Sequence, residues 1–192
     1  MKNAIALIAV AGIAAAAAAQ TATVTVSPSA TSINTLGDEA ARTVRVSVTV
    51  TGSAGLTSFD VVMDALQGNG LFTIANASLD NGLLFTAIPN VSEVTGEGPL
   101  GLRGYGAGAL LSGTDVSGQQ FSFDLIANAG AAGDVELTGI TSGFSPIATM
   151  GLFASAYPEI IVNSGTVTLF VPAPASAALL GLGGLAATRR RR

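Results

Sequence analysis

The sequence predicts an all-β fold, an antiparallel β-sandwich flanked by an N-terminal signal helix and a short C-terminal transmembrane helix. Three observations carry this expectation. Apolar residues recur with period two between residues 20 and 170, glycine-rich breaks separate the runs, and a continuous apolar run lies near each end of the chain. The chain divides accordingly into a signal peptide (1–19), a sandwich domain (20–170) and a C-terminal tail (171–192).

At the N-terminus Lys2 supplies a positive first region, and Ala4 to Ala19 is apolar apart from Gly12. Such a run has no polar face and cannot be an amphipathic core helix. Ala17 and Ala19 place small residues where signal peptidase needs them, so cleavage is expected before Gln20.

In the middle, Val24 and Val26 alternate with Thr23 and Thr25, and Val44, Val46, Val48 and Val50 alternate with Thr43, Arg45, Ser47 and Thr49. This is the pattern of half-buried strands with the valines facing in. Thr57 to Met63, Leu83 to Ile88, Phe121 to Ile126, Val135 to Ile140 and Thr166 to Phe170 read similarly. Leu71 to Ile74 and Leu100 to Leu111 are weaker candidates, giving about eight to ten strands. Turn chemistry lies between them at Gly52-Ser53-Ala54-Gly55, Gln67-Gly68-Asn69-Gly70, Asp80-Asn81-Gly82 and Ala131-Ala132-Gly133-Asp134. Tryptophan is absent and only Tyr105 and Tyr157 are present. The core is therefore expected to rest on aliphatic residues and on Phe59, Phe72, Phe85, Phe121, Phe123, Phe144, Phe153 and Phe170.

The succession of the Val44 to Thr51 run, Gly55-Leu56-Thr57-Ser58-Phe59-Asp60-Val61, Ser117-Gly118-Gln119-Gln120-Phe121-Ser122-Phe123, Ala129 to Val135 and Ser164-Gly165-Thr166-Val167-Thr168 resembles the cohesin-like sandwich, a jelly roll of the carbohydrate-binding superfamily. The resemblance implies the fold. It matches no dockerin-binding or sugar-binding residue and so implies neither activity.

The tail opens with Val171, Pro172, Ala173 and Pro174, continues through an apolar run to Thr188 and ends on Arg189, Arg190, Arg191 and Arg192. A helix over residues 175–188 would measure about 21 Å, and one begun at Pro172 about 25 Å, against a hydrocarbon core of about 30 Å. Residues 172–188 thus make a marginal span. The arginines are expected to act as a stop, since carrying each across the bilayer centre costs about 2.5–3.5 kcal/mol. Proline pair, short apolar helix and terminal arginine cluster resemble the PEP-CTERM sorting signal read by exosortases. Ala173 stands where that family has glutamate. The resemblance implies an exosortase-like processing partner that cuts near the proline pair; a plain tail anchor, with the same physics, would stay intact.

Composition excludes much chemistry. The chain has no cysteine and no histidine, which removes disulfides, thiolate metal sites and every Ser-His-Asp or Cys-His arrangement. Apart from Lys2 and the terminal arginines, the cations are Arg42, Arg45 and Arg103. Set against twelve acids they leave the middle at −9, so nucleic acid is not expected as a partner. Asp60 and Asp64, read as one strand, would lie about 13–14 Å apart on one face, beyond the roughly 5–9.5 Å that glycosidases use. Glu93 with Glu97 and Asp134 with Glu136 read as surface acids, and Asp80-Asn81-Gly82 lacks the alternating acids of a calcium loop. The run Gly101 to Gly108 has no lysine after it and reads as a flexible edge or loop rather than a phosphate cradle. Asn76-Ala77-Ser78 and Asn90-Val91-Ser92 fit the short glycosylation pattern.

No catalytic residue, metal ligand or cofactor is therefore expected. The expected protein is an exported, non-enzymatic component of the cell envelope, cell surface or extracellular matrix, anchored in the inner membrane transiently or stably. Exopolysaccharide is a candidate partner. The rival readings are a carbohydrate- or protein-binding module on a plain membrane anchor, and a glycoside hydrolase.

Overall fold

The computed structural model describes residues 19–79, 92–95, 99–107, 115–140, 146–150 and 155–173. The signal and transmembrane helices expected at 1–19 and 171–192 fall almost wholly outside these residues, as do Leu83 to Ile88, Asp80-Asn81-Gly82, Phe85, Phe144 and Phe153. Among the described residues the helical element is one 3-10 turn, Ala40–Arg42. The rest of the regular structure is strand.

The described residues hold fourteen strands in chain order: β1 Thr21–Pro28, β2 Ser32–Asn34, β3 Thr43–Gly52, β4 Ser58–Val62, β5 Asp64–Gln67, β6 Phe72–Leu79, β7 Ser92–Thr95, β8 Arg103–Ala107, β9 Gly118–Ala127, β10 Gly133–Thr138, β11 Ile147–Met150, β12 Ser155–Ala156, β13 Glu159–Asn163 and β14 Gly165–Phe170. They form a first sheet in the order β13-β1-β3-β9-β6, a second in the order β2-β14-β10-β5, and a third in the order β12-β11-β4-β8-β7. The second and third sheets meet where Met63 alone separates β4 from β5, and together they face the first.

The valine alternation places the core as expected. Val44, Val46, Val48 and Val50 on β3 and Phe121, Phe123 and Leu125 on β9 are buried between the layers. They meet Phe59 and Val61 of β4, Val135 and Leu137 of β10, and Val167 and Leu169 of β14 in one continuous cluster. Each fully buried side chain of this size contributes about 1.5–3 kcal/mol. Phe170, expected inside, is instead 42% exposed. On β14 it is Gly165, Val167 and Leu169 that turn inward, so the next residue faces solvent.

The sandwich is not wholly antiparallel. β1 pairs with β13 in parallel, Thr21 opposite Glu159 through Thr25 opposite Asn163, and β14 pairs with β2 in parallel, Thr168 opposite Ser32 through Phe170 opposite Asn34. β13 runs through Ser164 into β14, and β1 runs through residues 29–31 into β2, so the two ribbons cross from the first sheet to the second side by side. Gly165 stands at that crossing, where a Cβ would lie 2.6 Å from the carbonyl oxygen of Val26. First and last strands therefore close both layers together.

Of the run from Gly101, expected as a flexible edge or loop within the weaker strand candidate Leu100 to Leu111, residues 103–107 are strand. This is β8, which is hydrogen-bonded to β4 on one side and β7 on the other.

Candidate functional site

The outer face of the third sheet is built by alternation on β4 and β8. Phe59 and Val61 turn in, leaving Ser58 and Asp60 outside, while Gly104 and Gly106 turn in and leave Arg103 and Tyr105 outside. The register sets Ile147, Asp60 and Tyr105 in one row across β11, β4 and β8. Arg103 lies one diagonal step from Asp60 and closes a two-point pair, Nε to Oδ1 at 2.8 Å and Nη2 to Oδ2 at 2.6 Å. Such a fork fixes both side chains, and its energy is modest where water reaches them. The guanidinium carbon also lies 5.7 Å from the centre of the Tyr105 ring, within cation–π range. Beside this braced group Ile147 is 54% exposed. The face thus offers an apolar knob next to a fixed ion pair and an aromatic ring, and of these residues arginine and tyrosine are types enriched in protein interfaces.

Arg45 organises a different cluster, on the outer face of the first sheet. Nη1 donates to Asp124 Oδ1 at 3.0 Å and to the Asn76 carbonyl at 2.8 Å, and Nη2 to the hydroxyls of Ser78 and Ser122, each at 2.6 Å. Asn76 occupies a left-handed conformation (φ 49°) in the bulge where β6 shifts register between Ala75 and Ser78. From there its amide donates to Asp124 Oδ2 at 2.7 Å. This bond from Asn76 holds the Asp124 carboxyl below the usual aspartate range; partial burial opposes it, and the bond and charge of Arg45 reinforce it. With both carboxylate oxygens bonded, the cluster is a brace across β3, β9 and β6. Asn76 of the glycosylation pattern is thereby engaged within it.

Two further polar groups sit at the pole where β1 begins. Asp115 Oδ1 accepts from the Leu56 amide (2.7 Å), the Ser117 amide (2.9 Å) and the Ser117 hydroxyl (2.6 Å). Burial pushes this carboxyl up, but the three bonds outweigh it and hold it low. Tyr157 is only 5% exposed, donating its hydroxyl to the Gly55 carbonyl at 2.7 Å and accepting from the Ala54 amide at 3.2 Å. Its ring is therefore closed to sugar stacking. An open cleft of about 300 Å³ nearby is lined by Gln20, Ala54, Met150 and Ser155.

The paired acids of the sequence reading separate or find other partners. Asp60 and Asp64 do not share a strand, because Met63 breaks the run and sends them to different sheets. Asp134 accepts from the Thr168 hydroxyl at 2.7 Å, and Glu136 from the Gln67 amide at 3.1 Å. Glu93 lies on β7, and Glu97 is outside the described residues. Among the described residues no group of three or more acidic residues could hold a metal ion.

Of the processing residues, Ala19 and Gln20 are exposed directly ahead of β1, and Val171 and Ala173 are exposed directly after β14 with Pro172 half-buried. Ala17, Pro174 and Arg189 to Arg192 lie outside the described residues. No helix among the described residues is long and apolar enough to cross a membrane.

Sequence reasoning passed over Asp60, Arg103 and Ile147 as a group. The scarcity of cations was the available signal: Arg42, Arg45 and Arg103 stand among twelve acids, and each is engaged. Arg45 and Arg103 hold aspartates, and Arg42 donates to the carbonyls of Gly37 and Ala127.

No family model matches the sequence, and no curated protein does. Solved structures do match. The seventh ScaB type I cohesin of Pseudobacteroides cellulosolvens superposes with a TM-score of 0.56 at 13% identity, covering 79% of this chain and 94% of that one. The fold is cohesin-like. The second type II cohesin module of the ScaA scaffoldin of Acetivibrio cellulolyticus gives a TM-score of 0.57 at 8% identity over 82% of this chain and 95% of its own. The sixth cohesin of scaffoldin B from the same organism, solved in complex with a mutant dockerin, gives 0.53 at 12% identity over 78% and 99%. At these identities the cohesin-like sandwich is shared as a fold.

Proposed function

We propose that the cohesin-like sandwich is a non-enzymatic protein-binding module that docks its partner on the outer face of the third sheet. The observation that carries this reading is the exposed Ile147 in register with Asp60 and Tyr105, beside the fixed Asp60–Arg103 pair. A preformed apolar and aromatic surface of this kind loses little conformational freedom on binding. Cohesins of this fold have been solved in complexes with dockerins, which makes a dockerin-like module the partner class proposed here. Exopolysaccharide is the weaker partner, because Tyr157 is buried and cannot join Tyr105 in a stacking row.

The same proposal places the module outside the cell. Signal peptidase cleaves before Gln20, and residues 172–188 hold the chain in the inner membrane until an exosortase-like enzyme cuts near Pro172 and Pro174. Arg189 to Arg192 supply the stop. The apolar character of both ends and the exposure of Gln20 and Val171 support this reading.

Photo-crosslinking in the producing cell tests the docking face. A photoreactive residue in place of Ile147 is expected to trap one defined protein, whereas the same residue in place of Thr49, on the outer face of the first sheet, does not. Loss of the adduct on Arg103→Ala in a folded protein supports the face. Equal trapping from both positions, or none from Ile147, overturns it.

A further inference from the structure

The parallel seams fix where the chain enters and leaves. Thr21 pairs with Glu159 at one pole, and Phe170 pairs with Asn34 at the other. From Glu159 to Phe170 the chain advances on the order of 35 Å at 3.3 Å per residue. Gln20 and Val171 thus lie at opposite poles, and the apolar tail departs from the one built by residues 34–42, 128–133 and 170–173.

That pole has a firm base and an apolar rim. Thr35 is fully buried; its amide donates to the Phe170 carbonyl at 3.0 Å and its hydroxyl to the Ala131 carbonyl at 2.8 Å. The Gly130 amide returns to the Thr35 carbonyl at 3.1 Å, tying all three segments together. Around this anchor Leu36 is 63% exposed, and Phe170 and Val171 are each 42% exposed. Three of the seven large apolar side chains exposed among the described residues therefore gather where the tail departs.

We infer that this pole rests on the membrane interface, with Leu36, Phe170 and Val171 against the headgroup boundary and the Gln20 pole pointing away. The inference rests on the reading of residues 172–188 as a membrane span. With the span beginning at Pro172, Val171 alone links it to Phe170, about 3.3–3.6 Å of extended chain. The tether is therefore too short to let the domain drift free of the surface, and the apolar rim is the part it brings there. Asp38 and Glu39 lie on the same loop and oppose anionic lipid. Arg42 of the same segment, held by the Gly37 and Ala127 carbonyls, cancels one of these charges and leaves the segment net negative. The contact is accordingly apolar in origin and suits zwitterionic headgroups.

The absence of cysteine allows clean single-site labelling of the mature chain, residues 20–192. Leu36→Cys, Ser53→Cys and Gly183→Cys, each carrying an environment-sensitive fluorophore, are reconstituted in phosphatidylcholine vesicles containing doxyl-labelled lipid. The expected result is quenching at 183 and at 36 and none at 53. Quenching at 183 without quenching at 36 overturns the orientation and leaves the span intact. Quenching at neither, as a tail folded back on the rim would give, overturns the span and the orientation together. Quenching at 53 to the same extent as at 36 overturns the assignment of poles.

Discussion

The ring of Phe121 lies over the bare α-carbon of Gly104, where a Cβ would fall 2.4 Å from two ring carbons. One layer of the sandwich thus sinks an aromatic ring into a gap the other layer leaves by carrying no side chain. Gly104→Ala is expected to destabilise the domain by about 1–3 kcal/mol, the usual cost of overpacking a filled core. Urea unfolding of residues 20–173 checks this, with a lower midpoint at an unchanged slope. An unchanged midpoint would show that Phe121 has room to move.

Tyr157 invites the opposite change. Its hydroxyl serves the Gly55 carbonyl and the Ala54 amide in a loop held close to Gly52, where even a Cβ would collide with that oxygen at 2.0 Å. Tyr157→Phe is expected to cost about 1–2 kcal/mol, since a partly buried carbonyl loses its donor. The melting temperature should fall by about 2–4 °C per kcal/mol for a domain of this size.

Acid should weaken the fold through Asp115 and Asp124. Both carboxyls are held below the ordinary value of about 3.9, so the folded state binds protons less readily than the unfolded one. The stability they contribute is complete above that value and is lost as pH falls through the lower, folded values. Melting temperature recorded from pH 5 down to pH 2 is expected to decline, and Asp124→Asn to decline less steeply. A flat profile in the unsubstituted protein would contradict the bonding assigned to both groups.

The processing steps predict defined masses. Exported protein is expected to begin at Gln20, and protein recovered outside the membrane to lack everything after the Pro172–Pro174 region. Replacing Arg189, Arg190, Arg191 and Arg192 with serine should impair retention, because a span already short for the bilayer loses its costly charges. Intact-mass measurement of membrane and medium fractions reads all three. Full-length chain as the sole surface species, in a cell possessing an exosortase, would replace sorting with plain anchoring.

The fold was legible wherever one face of a strand is buried and the other wet. β3 alternates strictly because the first sheet has a single interior face, and β9 follows from Phe121 to Leu125 until Ile126 sets an apolar side chain on the outer face. β8 lies within the weak strand candidate Leu100 to Leu111 and reads faintly, as an edge or loop, because Gly104 and Gly106 erase the period; the apolar partner they serve, Phe121, comes from the opposite layer. β2, β5, β11 and β12 span two to four residues, too few to display a period. The parallel seams were hidden for another reason, since pairing Thr21 with Glu159 depends on closure across the chain and on no local pattern. The docking face shares that fate: Asp60 and Arg103 are 43 residues apart, and only the register of β4 with β8 makes them neighbours.

The pairing of first strand with last also orders events in time. β1 and β2 are made early, yet the parallel partners β13 and β14 are the final strands of the domain. Until those arrive, one side of β1 presents unpaired backbone amides and carbonyls, the kind of open edge that recruits other chains. Contacts of such sequence separation also slow folding, because the loop must close before the contacts reward it. The domain therefore remains incomplete until Phe170 is available. A chain interrupted before Glu159 would keep its most aggregation-prone edge exposed.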